Sequence, residues 1–146
     1  AAPDFELPDV VSGNKISLAA FAGQKALLVM FICRHCPYVK HIDRELARLG
    51  TDYAGKSIGI VAVSSNDAAT YPDDAPESLR EMAEQLGFPF PLCFDESQEV
   101  AKAYAAACTC DDYHFVLHHI AHCFLHLVKF QCVFGISGRK TCLSSY

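Results

Sequence analysis

The stretch ALLVMFICRHCPYVKHI, residues 26–42, decides the fold. Its first seven residues, Ala26 to Ile32, make an unbroken apolar run of strand length. That is the pattern of a central strand covered on both faces. Pro37 suits the first position of a helix, where its missing N–H costs nothing. From Pro37 to Leu49 the residues Val39, Ile42, Leu46 and Leu49 recur at helical spacing, and Gly50 reads as the stop. Ser57 to Ser64 (SIGIVAVS) is a second apolar run. Residues 26–64 therefore predict a β-α-β unit with parallel strands and the helix packed on the sheet.

The joint between the first strand and the helix is Cys33-Arg34-His35-Cys36-Pro37. A cysteine attacks as its thiolate, and an ordinary thiol is mostly protonated at neutral pH. A helix N-terminus favours the anion through its unpaired N–H groups and dipole. With Pro37 opening the helix, Cys36 falls at the N-cap. Arg34, His35 and Lys40 bring positive charge or proton transfer nearby. Cys33 lies three residues earlier, at a spacing that allows a disulfide, so one loop carries a nucleophile and a resolving thiol. Two close cysteines can instead pack or bind metal. Set between a buried strand and a helix, the redox reading is the stronger one.

Outward from this unit, the alternation of strands and helices continues. Phe5 to Val11 and Ile16 to Leu18 flank Ser12-Gly13-Asn14-Lys15 as a hairpin. Ser17 to Gly23 reads as a short helical turn. Asn66 to Pro76 is a polar loop. Glu77 to Leu86 is amphipathic and ends at Gly87. Pro91 to Phe94 reads as a short strand and Ser97 to Ala107 as a helix. The sum is one α/β sandwich domain. Asn66 and Asp67 follow a strand end, where a turn role outweighs a site-lining one. Asp73, Asp74 and Glu77 precede a helix and suit its N-terminus. Tyr71 and Phe90 read first as core packing.

Composition narrows the function. The 146 residues carry a formal net charge of −5, which argues against a nucleic-acid partner, since phosphate binding needs a basic face. No apolar run reaches the ~18 residues of a membrane span, and the start has no signal-like pattern. The expected location is cytoplasmic, or an organelle stroma or matrix if Ala1 follows removal of a transit peptide. The eight cysteines are unevenly placed, so a reducing compartment is expected, with thiols used for chemistry more than bracing. Cys93, Cys123, Cys132 and Cys142 read as buried, inert thiols.

The chain resembles the thioredoxin-like branch of the alkyl hydroperoxide reductase C / thiol-specific antioxidant family, close to the peroxiredoxins. The matching stretches are APDFELPDV at 2–10, SLAAFAGQKALLVMFICRHCPYVKHI at 17–42, VAVSSNDAATYPDDAPE at 61–77, LGFPFPL at 86–92 and DESQEVAKAYAAACT at 95–109. The resemblance implies a thioredoxin fold: a central mixed β-sheet flanked by helices, with an N-terminal β-hairpin extension. It implies thiol-disulfide or peroxidase activity on a protein disulfide or a peroxide, with a thioredoxin- or glutathione-type reductant and no bound cofactor or metal. A homodimer or larger protein complex is within its range. Two registers stay open. In thioredoxin style Cys33 attacks first. In peroxiredoxin style the attacking cysteine precedes Pro and the helix, which matches Cys36-Pro37 and leaves Cys33 as resolver. The helix-start argument independently favours Cys36. The full peroxiredoxin pattern Pro-x-x-x-Thr-x-x-Cys is absent.

The resemblance breaks near residue 110. The family continues with Thr-Pro-Asp, and its proline is cis and faces the reactive thiol. Here Thr109 is followed by Cys110 in the proline position. A cis bond before a non-proline costs ~3 kcal/mol, so that loop is expected to be altered. Thr109 and Cys110 are still expected to line the site, with Arg34, His35 and Pro37. Residues 110–146 are atypical, holding five of the seven histidines and no acidic residue after Asp112. A divergent tail, a shifted reading frame and misassigned residues all stay open. The usual Gly-turn hairpin and final helix are not recognisable beyond residue 115. Other functions follow if the tail is genuine. Cys33, Cys36, Cys108 and Cys110 would offer four thiols for Zn²⁺ or an iron–sulfur cluster. His118, His122 and His126 would share a helix face as a metal patch, but Phe124 to Phe134 alternates like a strand, and packed or surface histidines are the first reading. A redox-inactive subunit or scaffold is the runner-up reading.

Overall fold

The computed structural model describes residues 2–106 and the backbone of two further strands at 130–134 and 141–142. Strand β1 (Glu6–Pro8) pairs antiparallel with β2 (Lys15–Ser17), which forms the expected N-terminal hairpin. A 3-10 turn, Leu18–Phe21, leads into β3 (Ala26–Phe31). Then follow α1 (Pro37–Tyr53), β4 (Ile58–Ser64), α2 (Pro76–Leu86), β5 (Leu92–Phe94), α3 (Glu99–Ala103), β6 (Phe130–Phe134) and β7 (Thr141–Cys142). The main sheet has the order β5-β4-β3-β6-β7. β3, β4 and β5 run parallel, whereas β6 pairs antiparallel with β3 and β7 with β6. This mixed sheet, with β3 at its centre, meets the thioredoxin-fold expectation.

The strands alternate in period two, so each face of the sheet receives its own apolar set. Met30 and Ile32, with Ile60, Ala62 and Leu92, pack under α1 and α2 through Val39, Leu46, Leu79, Met82 and Ala83. Leu27 and Val29, with Val61, Val63 and Cys93, pack against Phe5, Leu7 and Tyr104 on the opposite face. The two continuous apolar runs of the sequence are therefore strands with two buried faces. No helix among the described residues is long and apolar enough to cross a membrane.

Three sequence expectations need correction. Gly50 does not stop α1, which runs on to Tyr53. It is buried, and a Cβ there would lie 2.6 Å from the Phe90 ring and 2.6 Å from Pro89. Gly50 thus marks a close approach between α1 and the segment entering β5. Gly50→Ala is expected to lower stability by ~1–2 kcal/mol, because overpacking of ~1–3 kcal/mol exceeds the ~1 kcal/mol helix-propensity gain. Urea unfolding checks this, and a stabilised variant would contradict the close contact. Gly87, by contrast, is a true stop: it caps α2 in the left-handed region at φ 64°. The second correction concerns α3, which is only Glu99–Ala103, between Gln98 and Ala105 at positive φ. The third is the hairpin of β6 and β7, which pairs Val133 with Cys142 and Phe134 with Thr141. A region where sequence reading recognised no hairpin contains one; any final helix lies outside the described residues.

Candidate functional site

The loop leaving the central strand β3 must turn and deliver the chain into α1. Cys36 is the N-cap of that helix, with extended backbone (φ −65°, ψ 121°) and Pro37 in the first turn. Its carbonyl accepts the Lys40 N–H at 3.0 Å, the first bond of the helix. Cys33 and Cys36 are both buried, at 7% and 3% exposure, and both join the α1-side core cluster with Met30, Ile32 and Val39. At Cys36 the helix N-terminus favours the thiolate, while burial opposes it.

The loop is held from the other side by Asp74, at the end of the 3-10 turn Pro72–Asp74 just before α2. Asp74 is completely buried. Its Oδ1 accepts the backbone N–H of Arg34 at 2.6 Å and of His35 at 3.1 Å. Its Oδ2 meets Nδ1 of His35 and accepts the Asn66 side-chain amide at 2.8 Å. The Asn66 amide nitrogen also lies 3.3 Å from His35 Nδ1. The His35 ring stacks on Tyr71, with centroids 4.2 Å apart and planes 8° apart. Arg34 donates to the Ser78 carbonyl and pairs with Glu81 at 3.3 Å. A buried carboxylate with this many donors fixes the loop's backbone and its histidine at once.

Residues Cys33, Arg34, His35, Cys36 and Pro37 are thus one local constellation. Thr109 and Cys110 lie outside the described residues, as do Cys108, His118, His122 and His126. Lys40 directs its ammonium to Asp73, 3.6 Å away. Sequence reasoning missed Asp74, which it placed with Asp73 and Glu77 as generic helix-start acids. It also ranked a turn role for Asn66 above the site, whereas Asn66 reaches Asp74 and His35. Asp67 does serve the turn, accepting from Ala69 N–H at 2.9 Å and the Thr70 hydroxyl at 2.7 Å. Tyr71 packs on His35, while Phe90 is a core residue stacked on Phe88.

Among the described residues, one group of metal-ligating side chains converges. Cys33, His35 and Asp74 each place a ligand atom within 4.8 Å of the others. Cys93 is a different kind of thiol. It is fully buried on the far face of the sheet, and burial, with a smaller contribution from Asp9, pushes its pKa from 9.0 up to about 12. Cys93 is expected to resist alkylation in the folded protein at neutral pH and to react on unfolding in urea; rapid native labelling would contradict this. The same shift has a stability consequence. Above pH 9.0 the unfolded thiol ionises while the folded one does not, so this contribution falls as pH rises toward about 12.

Residues 1–121 match the AhpC/TSA family. A candidate peroxiredoxin of Mycobacterium tuberculosis is 30% identical over 106 residues, covering 72% of this chain and 61% of its own length. The crystal structure of an uncharacterised conserved protein from Geobacillus kaustophilus is 44% identical, with a TM-score of 0.76, over 91% of this chain and 61% of that one. The solution structure of a candidate thioredoxin from Neisseria meningitidis is 29% identical, with a TM-score of 0.57, over 70% of this chain and 63% of that one. The chain spans about three-fifths of the length of these relatives.

Proposed function

The chain belongs to the AhpC/TSA family, and from that premise we propose that it is a thiol-dependent oxidoreductase in which Cys36 attacks and Cys33 resolves. The observation that carries this reading is the position of Cys36 at the N-cap of a 17-residue helix, with Cys33 on the same buried loop. The helix terminus stabilises the Cys36 thiolate. Toward a disulfide substrate, that thiolate forms a mixed disulfide and expels one substrate thiolate. Cys33 then attacks the Cys36 sulfur, expels the second substrate thiolate and leaves a Cys33–Cys36 disulfide. Two electrons have passed to the substrate. Toward a peroxide, Cys36 becomes a sulfenic acid as the O–O bond breaks and an alcohol or water departs. Cys33 then condenses with it and releases water. An external thioredoxin-type dithiol, or two glutathione-type thiols, restores both thiols and is itself oxidised to a disulfide. The reading treats residues 1–146 as one domain, with Arg34, His35, Pro37, Thr109 and Cys110 lining the site.

Insulin-disulfide and peroxide assays with a thiol reductant test the reading. Turnover in either, with Cys33 and Cys36 found joined by peptide mapping after oxidation, is the expected result. A folded protein inactive in both and stably bound to a larger complex would replace it with the scaffold reading.

A further inference from the structure

The cluster of Cys33, His35 and Asp74 has more ligand character than thiol exchange uses. It offers a sulfur, an imidazole nitrogen and a carboxylate oxygen, all within 4.8 Å of one another. We propose that, in the dithiol form, these three side chains bind a Zn²⁺-class divalent cation, and that formation of a Cys33–Cys36 disulfide excludes it.

The donor set selects the metal class. A thiolate beside an imidazole suits Zn²⁺ and disfavours Mg²⁺ and Ca²⁺, which take oxygen shells. Ligand bonds of ~2.0–2.3 Å in a tetrahedral shell put ligand atoms ~3.5 Å apart, which side-chain adjustment reaches from the present spacing. Three protein ligands leave a fourth position open. An entry path exists at His35, whose side chain is 18% exposed, while Asp74 is closed from water. A cation would sit between His35 and Asp74 where they now meet each other.

The surrounding groups already orient the ligands. The Arg34 and His35 N–H groups hold Asp74 Oδ1, the Asn66 amide holds Oδ2, and Tyr71 fixes the plane of the His35 ring. Outer partners of this kind set the affinity of metal sites. Cys33 is the shared residue. Its sulfur cannot ligate as a thiolate once it is bonded to Cys36, so metal occupancy reports the redox state. Binding itself does not depend on the catalytic reading, because the reduced chain is sufficient for it.

The test is Co²⁺ titration of the fully reduced chain, followed by absorption, with Zn²⁺ as competitor. Expected are a thiolate-to-cobalt charge-transfer band and tetrahedral ligand-field bands that saturate at one equivalent and vanish with Zn²⁺. Cys33→Ser and His35→Gln should each abolish the bands or weaken binding at least ~10-fold, with circular dichroism confirming the fold. Cys36→Ser should keep them. Absence of a charge-transfer band in the wild type overturns the proposal. So does a band that survives Cys33→Ser, or one lost in a folded Cys36→Ser, since either assigns the metal to other ligands. A chain inactive toward disulfides and peroxides that still binds Co²⁺ in this pattern keeps the metal site and loses the proposed function.

Discussion

Cys36→Ser is expected to abolish turnover of both disulfide and peroxide substrates, by at least ~10³-fold. A serine hydroxyl at the α1 N-cap is not ionised at neutral pH, so the covalent step has no nucleophile. The fold should survive, because serine is itself a favoured N-cap. Cys33→Ser should behave differently. Attack by Cys36 continues, but the reaction halts after one event because nothing releases the bound half of the substrate. The variant should accumulate a mixed disulfide at Cys36, detectable by intact-protein mass. The thioredoxin-style register makes the opposite assignment: Cys36→Ser would then trap substrate on Cys33. The two variants read side by side therefore separate the registers, and the kinetic loss alone does not.

Asp74→Ala is expected to destabilise the fold by ~3 kcal/mol or more in urea unfolding. The carboxylate is fully buried and accepts the Arg34 N–H, the His35 N–H and the Asn66 amide, while also meeting His35 Nδ1. Each buried donor left without an acceptor costs ~1–3 kcal/mol, and the loop that presents both cysteines loses its anchor. Asp74→Asn keeps one acceptor oxygen and should fall between wild type and Ala. The neighbouring Asp73→Ala is the control. Asp73 makes an exposed ion pair with Lys40 at 3.6 Å, so its loss should stay within ~0.5 kcal/mol. Equal losses at 73 and 74 would contradict the anchoring role of Asp74.

The parts of this molecule that were legible in the sequence are those fixed by local pattern. Ala26–Phe31 and Ile58–Ser64 are strands because their apolar runs are strand-length and buried on both faces, and Pro37 opens α1 because its chemistry suits that position. The cysteine loop follows from its place between them. Gly50 misled, because the same residue serves as a helix stop and as a point of close packing, and only the neighbour decides which. Pro89 and Phe90 are that neighbour, some forty residues away. Asp74 was hidden for the same reason. Its sequence surroundings are those of any acid before a helix, while its partners at 34 and 35 are set by tertiary folding. Asn66 was underrated because Asp67 beside it does perform the turn role. In the tail, Phe124 to Phe134 alternates like a strand and β6 falls at its end, whereas the two-residue β7 has no such signal and is placed by its pairing with β6.

The proposed activation of Cys36 by the α1 N-terminus is tested most directly by the pH dependence of its alkylation. In the reduced Cys33→Ser chain, with labelling at Cys36 quantified by peptide mass across a pH series, the midpoint should fall clearly below the ~8.5 of an ordinary cysteine. A midpoint at or above ~8.5 would contradict the claim.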